Sequence, residues 1–410
     1  MSGWAAPGLA AELRALRAVL AVADAGSTAA AGAHLHLSQP AVARAVQRVE
    51  SRLGLPLFER VARGMRANAA GQALASRVRQ ALAELAGEGD GPPASPRLAS
   101  LGTPAQFGVL LALADAASGR RVAQQLGVSQ PAVQQAVRQL EHAWGAALFE
   151  RTRTGLVPNA AGRLALARAK RALAELRGAE EDLQALAGAV RGRVVVGTLP
   201  YWGGSFLPRA LGRLAERHPG ISITVVDGTY DSLLAQLRQA DIDLLVGALR
   251  EAPPPGPLLQ LPLLDDPLAA VVRAGHPLVG RAPTRLRQLR GAQWILAMPG
   301  APARRMLEQA FAHEGLPPPA GGVQVNSPAL LQSMLLEGDG VALMSPRQLE
   351  REIAAGLLHV LPVRVPQLRR SIGLVMRPAF EPPAPLRELI DSLREAGAQA
   401  VAAPTAATRR

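Results

Sequence analysis

A duplication governs what this chain can fold into. Ser38-Gln39-Pro40-Ala41-Val42 returns 91 residues later as Ser129-Gln130-Pro131-Ala132-Val133. At the same offset Leu57-Phe58-Glu59-Arg60 meets Leu148-Phe149-Glu150-Arg151, and Asn68-Ala69-Ala70-Gly71 meets Asn159-Ala160-Ala161-Gly162. Blocks that agree in one ungapped register mark two copies of one module, over about 14–74 and 105–165. Between them, Gly87-Glu88-Gly89-Asp90-Gly91-Pro92-Pro93-Ala94-Ser95-Pro96 has the glycine and proline density of a linker.

Within a copy the pattern is helical. Ser38 is a good N-cap, and Pro40 falls in the first turn, where its missing N–H costs nothing. Val42, Ala45, Val46, Val49 and Leu53 then recur at helix spacing and form one apolar stripe. Ser129 and Pro131 open the second copy's helix, with Val133, Ala136, Val137, Leu140 and Trp144 as its stripe. The opposite face carries Gln39, Arg44, Gln47 and Arg48 in one copy, and Gln130, Gln134, Gln135 and Arg138 in the other. Carboxylates enter only at Glu50 and Glu141. Before this helix, residues 23–35 and 114–126 read as one short bracing helix, leading to a tight turn at His36-Leu37 or Gly127-Val128. After it, residues 58–67 and 149–158 read as paired short strands around Arg63-Gly64 or Thr154-Gly155. That is a wing, with Arg60, Arg63 and Arg66, or Arg151 and Arg153, placed to meet phosphates.

This outward face has the chemistry that reads a major groove. Arginine bonds O6 and N7 of guanine together, glutamine bonds N6 and N7 of adenine, and a carboxylate would repel phosphate. One polar helix face is usually no more than solvated surface. A bracing helix, a turn, a capped polar helix and a basic wing, all present twice, point instead to double-stranded DNA as the partner. The copies are unequally charged. Residues 38–66 hold arginines 44, 48, 52, 60, 63 and 66 against Glu50 and Glu59, a local +4; residues 129–157 reach only +1. If both copies bind, one chain brings two reading heads to its operator.

Each copy resembles the N-terminal winged helix-turn-helix of LysR-type transcriptional regulators. The resemblance rests on the Ser-Gln-Pro-Ala run, the helix ending in Glu, Leu-Phe-Glu-Arg and the capped Ala-Gly. Members usually carry one such unit, so the second copy is a departure. Others are Ala43 and Gln134 at a position where serine is frequent, and Asn68 and Asn159 in place of a capping threonine. The resemblance implies that residues 164–190, rich in Ala, Leu, Arg and Glu, form a linker helix that pairs two subunits. Leu166, Lys170, Leu173, Leu176, Leu183 and Leu186 give it an imperfect heptad-like seam. Residues 74–85 look like a shortened version of that helix, and a homodimer or homotetramer is expected.

From Gly192 onward strands and helices alternate. Strands are expected at 193–196, 221–226, 244–248, 294–298, 340–344 and 371–376, and helices at 207–217, 233–239 and 330–337. This predicts an α/β domain with mostly parallel sheets. It resembles the LysR effector-binding domain, including Asp241-Ile242-Asp243-Leu244 and Gly275-His276-Pro277-Leu278. The resemblance implies two subdomains of the type II periplasmic-binding-protein fold, with crossovers near 270–277 and 363–371. Ligands of such sheets sit beyond the carboxyl ends of the strands, against helix N-termini. That rule selects Thr198 and Pro200, then Gly228 and Thr229, from one subdomain, and Asn326, Ser327, Met344 and Ser345 from the other. Their hydroxyls and backbone N–H groups suit a small anionic effector.

The expected organisation is a first winged unit at 10–86, a linker at 87–103, a second winged unit at 104–163, a linker helix at 164–190, an effector domain at 191–396 and a disordered tail at 397–410. Competing classes find little support. With no cysteine, disulfide scaffolds and thiolate nucleophiles are excluded. No apolar run is long enough to span a membrane, and Glu12, Arg14 and Arg17 interrupt any leader, so a cytoplasmic protein is expected. Nucleotide-binding, metalloprotease and hydrolase-elbow motifs are missing, and the histidines read as structural, so no enzyme activity, cofactor or metal is expected. The net charge of +13 is shared almost equally by the two sides of residue 190, and so does not locate a DNA surface. The alternative function is a small-molecule receptor whose DNA-binding units have degenerated.

Overall fold

The duplication persists in three dimensions. In the computed structural model the first copy contains α1 (Leu13–Ala25), α2 (Thr28–Leu35), α3 (Gln39–Leu53), β1 (Phe58–Val61), β2 (Gly64–Ala67) and α4 (Ala69–Ala86). The second contains α5 (Pro104–Ala116), α6 (Gly119–Leu126), α7 (Gln130–Trp144), β3 (Phe149–Thr152), β4 (Gly155–Pro158) and the long α8 (Ala160–Leu186). Each boundary in the second copy lies 91 residues after its counterpart, until α8 outruns α4. The structure describes residues 8–62, 64–87, 99, 102–153, 155–199, 206–251, 255–281, 283–319, 322–363, 365, 368–378 and 381–402. Most of the 87–103 linker lies outside the described residues, as does 403–410.

The expected single bracing helix at 23–35 is two helices. Gly26 takes a left-handed conformation at φ 70° and ends α1, and Ser27 accepts a hydrogen bond from Ala30 N to start α2. In the second copy Ala117 takes the left-handed position at φ 50°, and Ser118 is the cap. The break also holds the wing: Met65 N donates to Gly26 O, and Leu156 N to Ala117 O, both at 2.8 Å. The glycine that opens each second wing strand is required. A Cβ on Gly64 would lie 2.3 Å from Gly26 O, and one on Gly155 2.0 Å from Ala117 O.

One apolar core runs through both copies, and its middle is the pairing of α4 with α8. The buried positions correspond across the repeat: Leu74, Val78, Ala81 and Leu85 on α4, and Ala165, Ala169, Ala172 and Leu176 on α8. At about 1.5–3 kcal/mol for each large side chain, Leu74, Val78, Leu85, Leu176 and Leu183 contribute on the order of 10 kcal/mol as an upper estimate. Here the structure corrects the sequence. Of the expected seam, Leu166, Leu176 and Leu183 are buried and Leu186 is exposed; alanines make up much of the remaining buried face, and α8 packs against α4 of the same chain.

A charge cluster lies in this seam. Arg77 of α4 donates from Nη1 to Glu175 Oε2 at 2.9 Å, and from Nη2 and Nε to Asp182 Oδ2 at 2.8 and 3.1 Å. Burial works against its charge, but the two carboxylates outweigh that and raise its pKa. Arg168, the repeat equivalent of Arg77, is buried on α8, and its pKa is lowered by burial and by Arg171, with Glu84 opposing.

The carboxy-terminal part holds two five-stranded sheets. The first, in order β6-β5-β7-β14-β8, comprises β5 (Gly192–Thr198), β6 (Ile221–Asp227), β7 (Leu244–Ala248), β8 (Leu259–Pro267) and β14 (Arg369–Met376). The second, in order β11-β10-β12-β9-β13, comprises β9 (Ala269–Arg273), β10 (Gln293–Ala297), β11 (Val323–Val325), β12 (Gly340–Met344) and β13 (Leu358–Val360). The chain crosses between sheets at 267–269, a few residues before the expected place, and returns between 360 and 369. The sheets are mixed rather than mostly parallel. β5 with β7, and β10 with β11 and β12, run parallel; β14 is antiparallel to β7 and β8, and β9 to β12 and β13. Each crossover delivers a strand that runs against its new neighbours. Helices include α9 (Phe206–Arg217), α10 (Tyr230–Arg238), α11 (Pro277–Arg281), α12 (Pro302–His313), α13 (Pro328–Glu337), α14 (Glu350–Ala354) and α15 (Ala384–Ala402). Residues 397–402 therefore continue a helix instead of belonging to a tail, because Leu386, Leu389, Ile390, Leu393, Ala396 and Ala400 keep a buried stripe.

Candidate nucleic-acid interface and effector cleft

The α3 and α7 helices are built by the same local rules. Ser38 Oγ accepts from Ala41 N at 3.4 Å, and Ser129 Oγ from Ala132 N at 3.3 Å, with Pro40 and Pro131 in the first turns. Val42, Val46 and Val49 fix one helix to its core, and Val133, Leu140 and Ala143 the other. Those anchors turn Gln39, Arg44, Gln47 and Arg48 outward, and likewise Gln130, Gln134, Gln135 and Arg138, all exposed.

The carboxylates at the far ends of these helices have a role that sequence reading missed. Glu50 Oε1 accepts from Leu57 N at 2.7 Å, and Glu141 Oε1 from Leu148 N at 2.9 Å. Each ties its helix to the root of the wing that follows. The asparagine caps close the same corner: Asn68 Oδ1 accepts from Gly71 N while its Nδ2 donates to Pro56 O, and Asn159 does the same with Gly162 and Ala147, all at 2.9 Å. A Cβ on Gly71 or Gly162 would lie 2.1 or 2.0 Å from the carbonyl of Leu57 or Leu148, so the repeated Ala-Gly marks a close backbone approach. The signal lay in the matched spacing of Glu, Leu and Asn, which tracked the wing instead of the groove.

The wings differ. Arg60, Arg66, Arg151 and Arg153 are exposed, and Arg63 lies outside the described residues. Arg66 pairs with Glu59 directly across β1–β2, Nη2 to Oε2 at 3.2 Å, whereas Val157 faces Glu150 in the second wing. Part of the first wing's charge is therefore met within the wing, although a pair this exposed is weak and yields readily to phosphate.

In the carboxy-terminal part, Thr198 is buried at the end of β5, its hydroxyl donating to Leu199 O, and Gly228 N donates to Thr198 O at 3.4 Å. Thr229 is exposed, and its Oγ1 accepts from Ser232 N at 3.3 Å, capping α10. Ser327 caps α13 through Leu330 N at 3.4 Å, beside exposed Asn326. Pro200 lies outside the described residues. Ser345 is fully buried: its Oγ donates to Asp266 Oδ1 at 2.5 Å and accepts from Arg347 N. Asp266 also accepts from Arg370 Nε at 3.0 Å, and burial lowers the Arg370 pKa against the pull of that carboxylate. Sequence reading missed Asp266 and Arg370, although a carboxylate at the end of an apolar strand was a visible cue. A cavity of about 40 Å³ next to this cluster is lined by Leu296, Ala297, Arg304, Met344 and Arg370, among others.

Comparison with known proteins places these features. The LysR substrate binding domain matches residues 187–398, and the bacterial regulatory helix-turn-helix domain of the lysR family matches twice, over 13–72 and 104–163. The HTH-type transcriptional regulator GalR of Pseudomonas putida is 37% identical over 371 residues, covering 89% of this chain and 92% of GalR. That alignment leaves out fewer residues than either winged copy contains, so it extends over both. Among solved structures, a full-length OxyR variant from Pseudomonas aeruginosa aligns with TM-score 0.56 and 23% identity, covering 70% of this chain and 93% of OxyR. Full-length CbnR, solved in complex with its target DNA, aligns with TM-score 0.51 and 19% identity, covering 71% of this chain and 99% of CbnR. Those two likenesses concern the fold. Two lysR-family helix-turn-helix units joined to a substrate-binding domain that fills half the chain make this protein a member of the LysR family of DNA-binding transcriptional regulators.

Proposed function

We propose that α3 and α7 are both recognition helices, and that the regulator answers to a small anion held in the effector domain. The observation that carries the first part is the pair of serine-capped helices, each pinned by its apolar stripe with arginine and glutamine outward. Arg44, Arg48 and Arg138 are the guanine readers, and Gln39, Gln47, Gln130, Gln134 and Gln135 suit adenine. Ser38, Pro40, Ser129 and Pro131 set the helix starts, and the wing arginines 60, 63, 66, 151 and 153 meet phosphates. The anion reading rests on Thr229 and Ser327, which stand at the N-termini of α10 and α13, where backbone N–H groups and the helix dipole favour negative charge. Thr198 and Gly228 border the first of these, and Asn326 the second. Ser345 acts through Asp266 and Arg370, leaving Met344 to face the cavity.

Titration of operator DNA across a salt series tests the DNA reading. Affinity should fall steeply with salt, with a log–log slope of about −0.9 per phosphate contacted, and should exceed that for scrambled DNA at every salt concentration. A flat slope with no sequence preference would leave only the small-molecule receptor. For the effector, thermal-shift screening of the full chain against small carboxylates and matched neutral analogues is the direct test. Ligand at a hundred times its dissociation constant adds about 2.7 kcal/mol to the native state. Stabilisation by neutral compounds alone would remove the anion reading.

A further inference from the structure

The two copies touch each other through corresponding residues. Arg77 on α4 lies against Gly178 on α8, its Cζ 3.4 Å from where a Cβ would stand. Arg168, the equivalent of Arg77, lies against Gly87, the equivalent of Gly178, with Nη1 2.5 Å from the corresponding point. Arg77 bonds Glu175, and Arg168 is under the influence of Glu84, which is Glu175's equivalent. Glu84 is further held by Arg171 Nε at 2.6 Å. Where residue i meets j′ and i′ meets j, the contact is isologous: the partners are related by a twofold axis. The residues paired across the seam rise on one helix as they fall on the other, so α4 and α8 run antiparallel, with the axis near Ala81 and Ala172. One chain thus contains an arrangement that ordinarily needs two.

The reading surfaces on either side of that axis are unlike. At equivalent positions, α3 and α7 present Ala43 and Gln134, Arg44 and Gln135, Gln47 and Arg138, and Arg48 and Gln139. Arginine and glutamine exchange places at the last three. Gln139 is also drawn aside, its Oε1 accepting from Gln106 Nε2 at 2.8 Å. Two identical half-sites cannot satisfy both helices.

We infer that a single chain is a complete two-headed DNA reader, its winged units paired through α4 and α8, and that its operator consists of two unlike half-sites. The half-site under α3 is the guanine-bearing one, because Arg44 and Arg48 can each take O6 and N7 of a guanine. The half-site under α7 favours adenine, with one guanine under Arg138. Packing supports pairing within the chain. In that register Leu74 on α4 falls opposite the small Gly178 and Ala179 on α8, whereas two α8 faces would set Ala165, the equivalent of Leu74, against Ala179. The short 87–103 tether keeps the two helices at an effective concentration in the millimolar range. Association of chains then uses surfaces outside this seam.

The inference rests on α3 and α7 being the recognition helices, and two experiments separate the claims. The chain has no cysteine, so Glu84→Cys/Arg171→Cys can be joined by a short bis-maleimide without background. A product of one-chain mass, unchanged on dilution, is expected; a two-chain product would overturn pairing within the chain. Selection from random-sequence duplex DNA with the full chain should recover two different half-sites at constant spacing. With Ala43→Gln/Arg44→Gln/Gln47→Arg/Arg48→Gln the recovered sites should become inverted repeats of the α7 half-site. Recovery of inverted repeats by the unaltered chain, or the same asymmetric site after the exchange, would overturn the two-half-site reading. Failure to enrich any site would instead strike the recognition-helix assignment, with the cross-link still deciding the pairing.

Discussion

Replacing Arg77 by methionine is the sharpest test of what holds the two winged copies together. The Arg77 side chain is 2% exposed, and its partners Glu175 and Asp182 are 9% and 13% exposed, so water can do little to compensate for its loss. Methionine keeps much of the aliphatic stem and removes the guanidinium, leaving two nearly buried carboxylates without this cation. Breaking a buried pair on one side costs about 3–5 kcal/mol, mainly the penalty of the charge left behind. That is a large share of the 5–15 kcal/mol by which folded domains are ordinarily stable. For a part of this size it should lower the melting temperature by roughly 10 °C. The triple variant Arg77→Met/Glu175→Met/Asp182→Asn should recover most of the loss, since this cluster then holds no charge. Asparagine is chosen at 182 so that its Oδ1 can still accept from Ala384 N, now 2.9 Å away. Calorimetry or denaturant titration of the full chain reads both effects. A single variant within about 1 kcal/mol of the parent, which is the range of exposed pairs, would refute the argument that burial makes this cluster matter.

Other expectations are simpler. Ala117 holds a left-handed conformation that Gly26 supplies in the first copy, so Ala117→Gly should stabilise the chain by about 1 kcal/mol; an unchanged or lower melting temperature would count against the strain. Asp266→Ala leaves the buried Arg370 without its carboxylate and should cost about 3–5 kcal/mol, visible as an early unfolding step of the effector domain. Thr229→Val removes the α10 cap at a cost of about 1 kcal/mol and should also weaken the anion's stabilising effect, with DNA affinity in its absence unchanged. Unaltered effector binding in calorimetry would reduce Thr229 to a cap alone.

What could be read from the sequence was what short-range chemistry determines. Ser38, Ser129, Asn68 and Asn159 announced helix starts because a cap needs only the next three residues, and the turn glycines marked the wings for the same reason. The α1–α2 break was missed even though Gly26-Ser27 spells it, because apolar residues continue through it. The α4–α8 seam was hidden differently. Its alanines carry little hydrophobic signal, and the stripe read from the leucines holds for Leu166, Leu176 and Leu183 but fails at Leu186, which is exposed. Which partner covers a helix face is a long-range fact: Arg77 and Asp182 are 105 residues apart in sequence, and Asp266 and Arg370 are 104 apart. The strand–helix alternation gave the α/β class, but strand direction depended on where the chain changes sheets.

The central claim is that both α3 and α7 read DNA, and hydroxyl-radical footprinting on one selected operator tests it most directly. The unaltered chain should protect two adjoining patches. Arg44→Ala/Arg48→Ala should erase one patch and reduce the salt slope, and Gln134→Ala/Arg138→Ala should erase the other, each leaving its neighbour detectable at higher protein concentration. A footprint of unchanged length in the Arg44→Ala/Arg48→Ala chain would show that the first copy does not touch DNA.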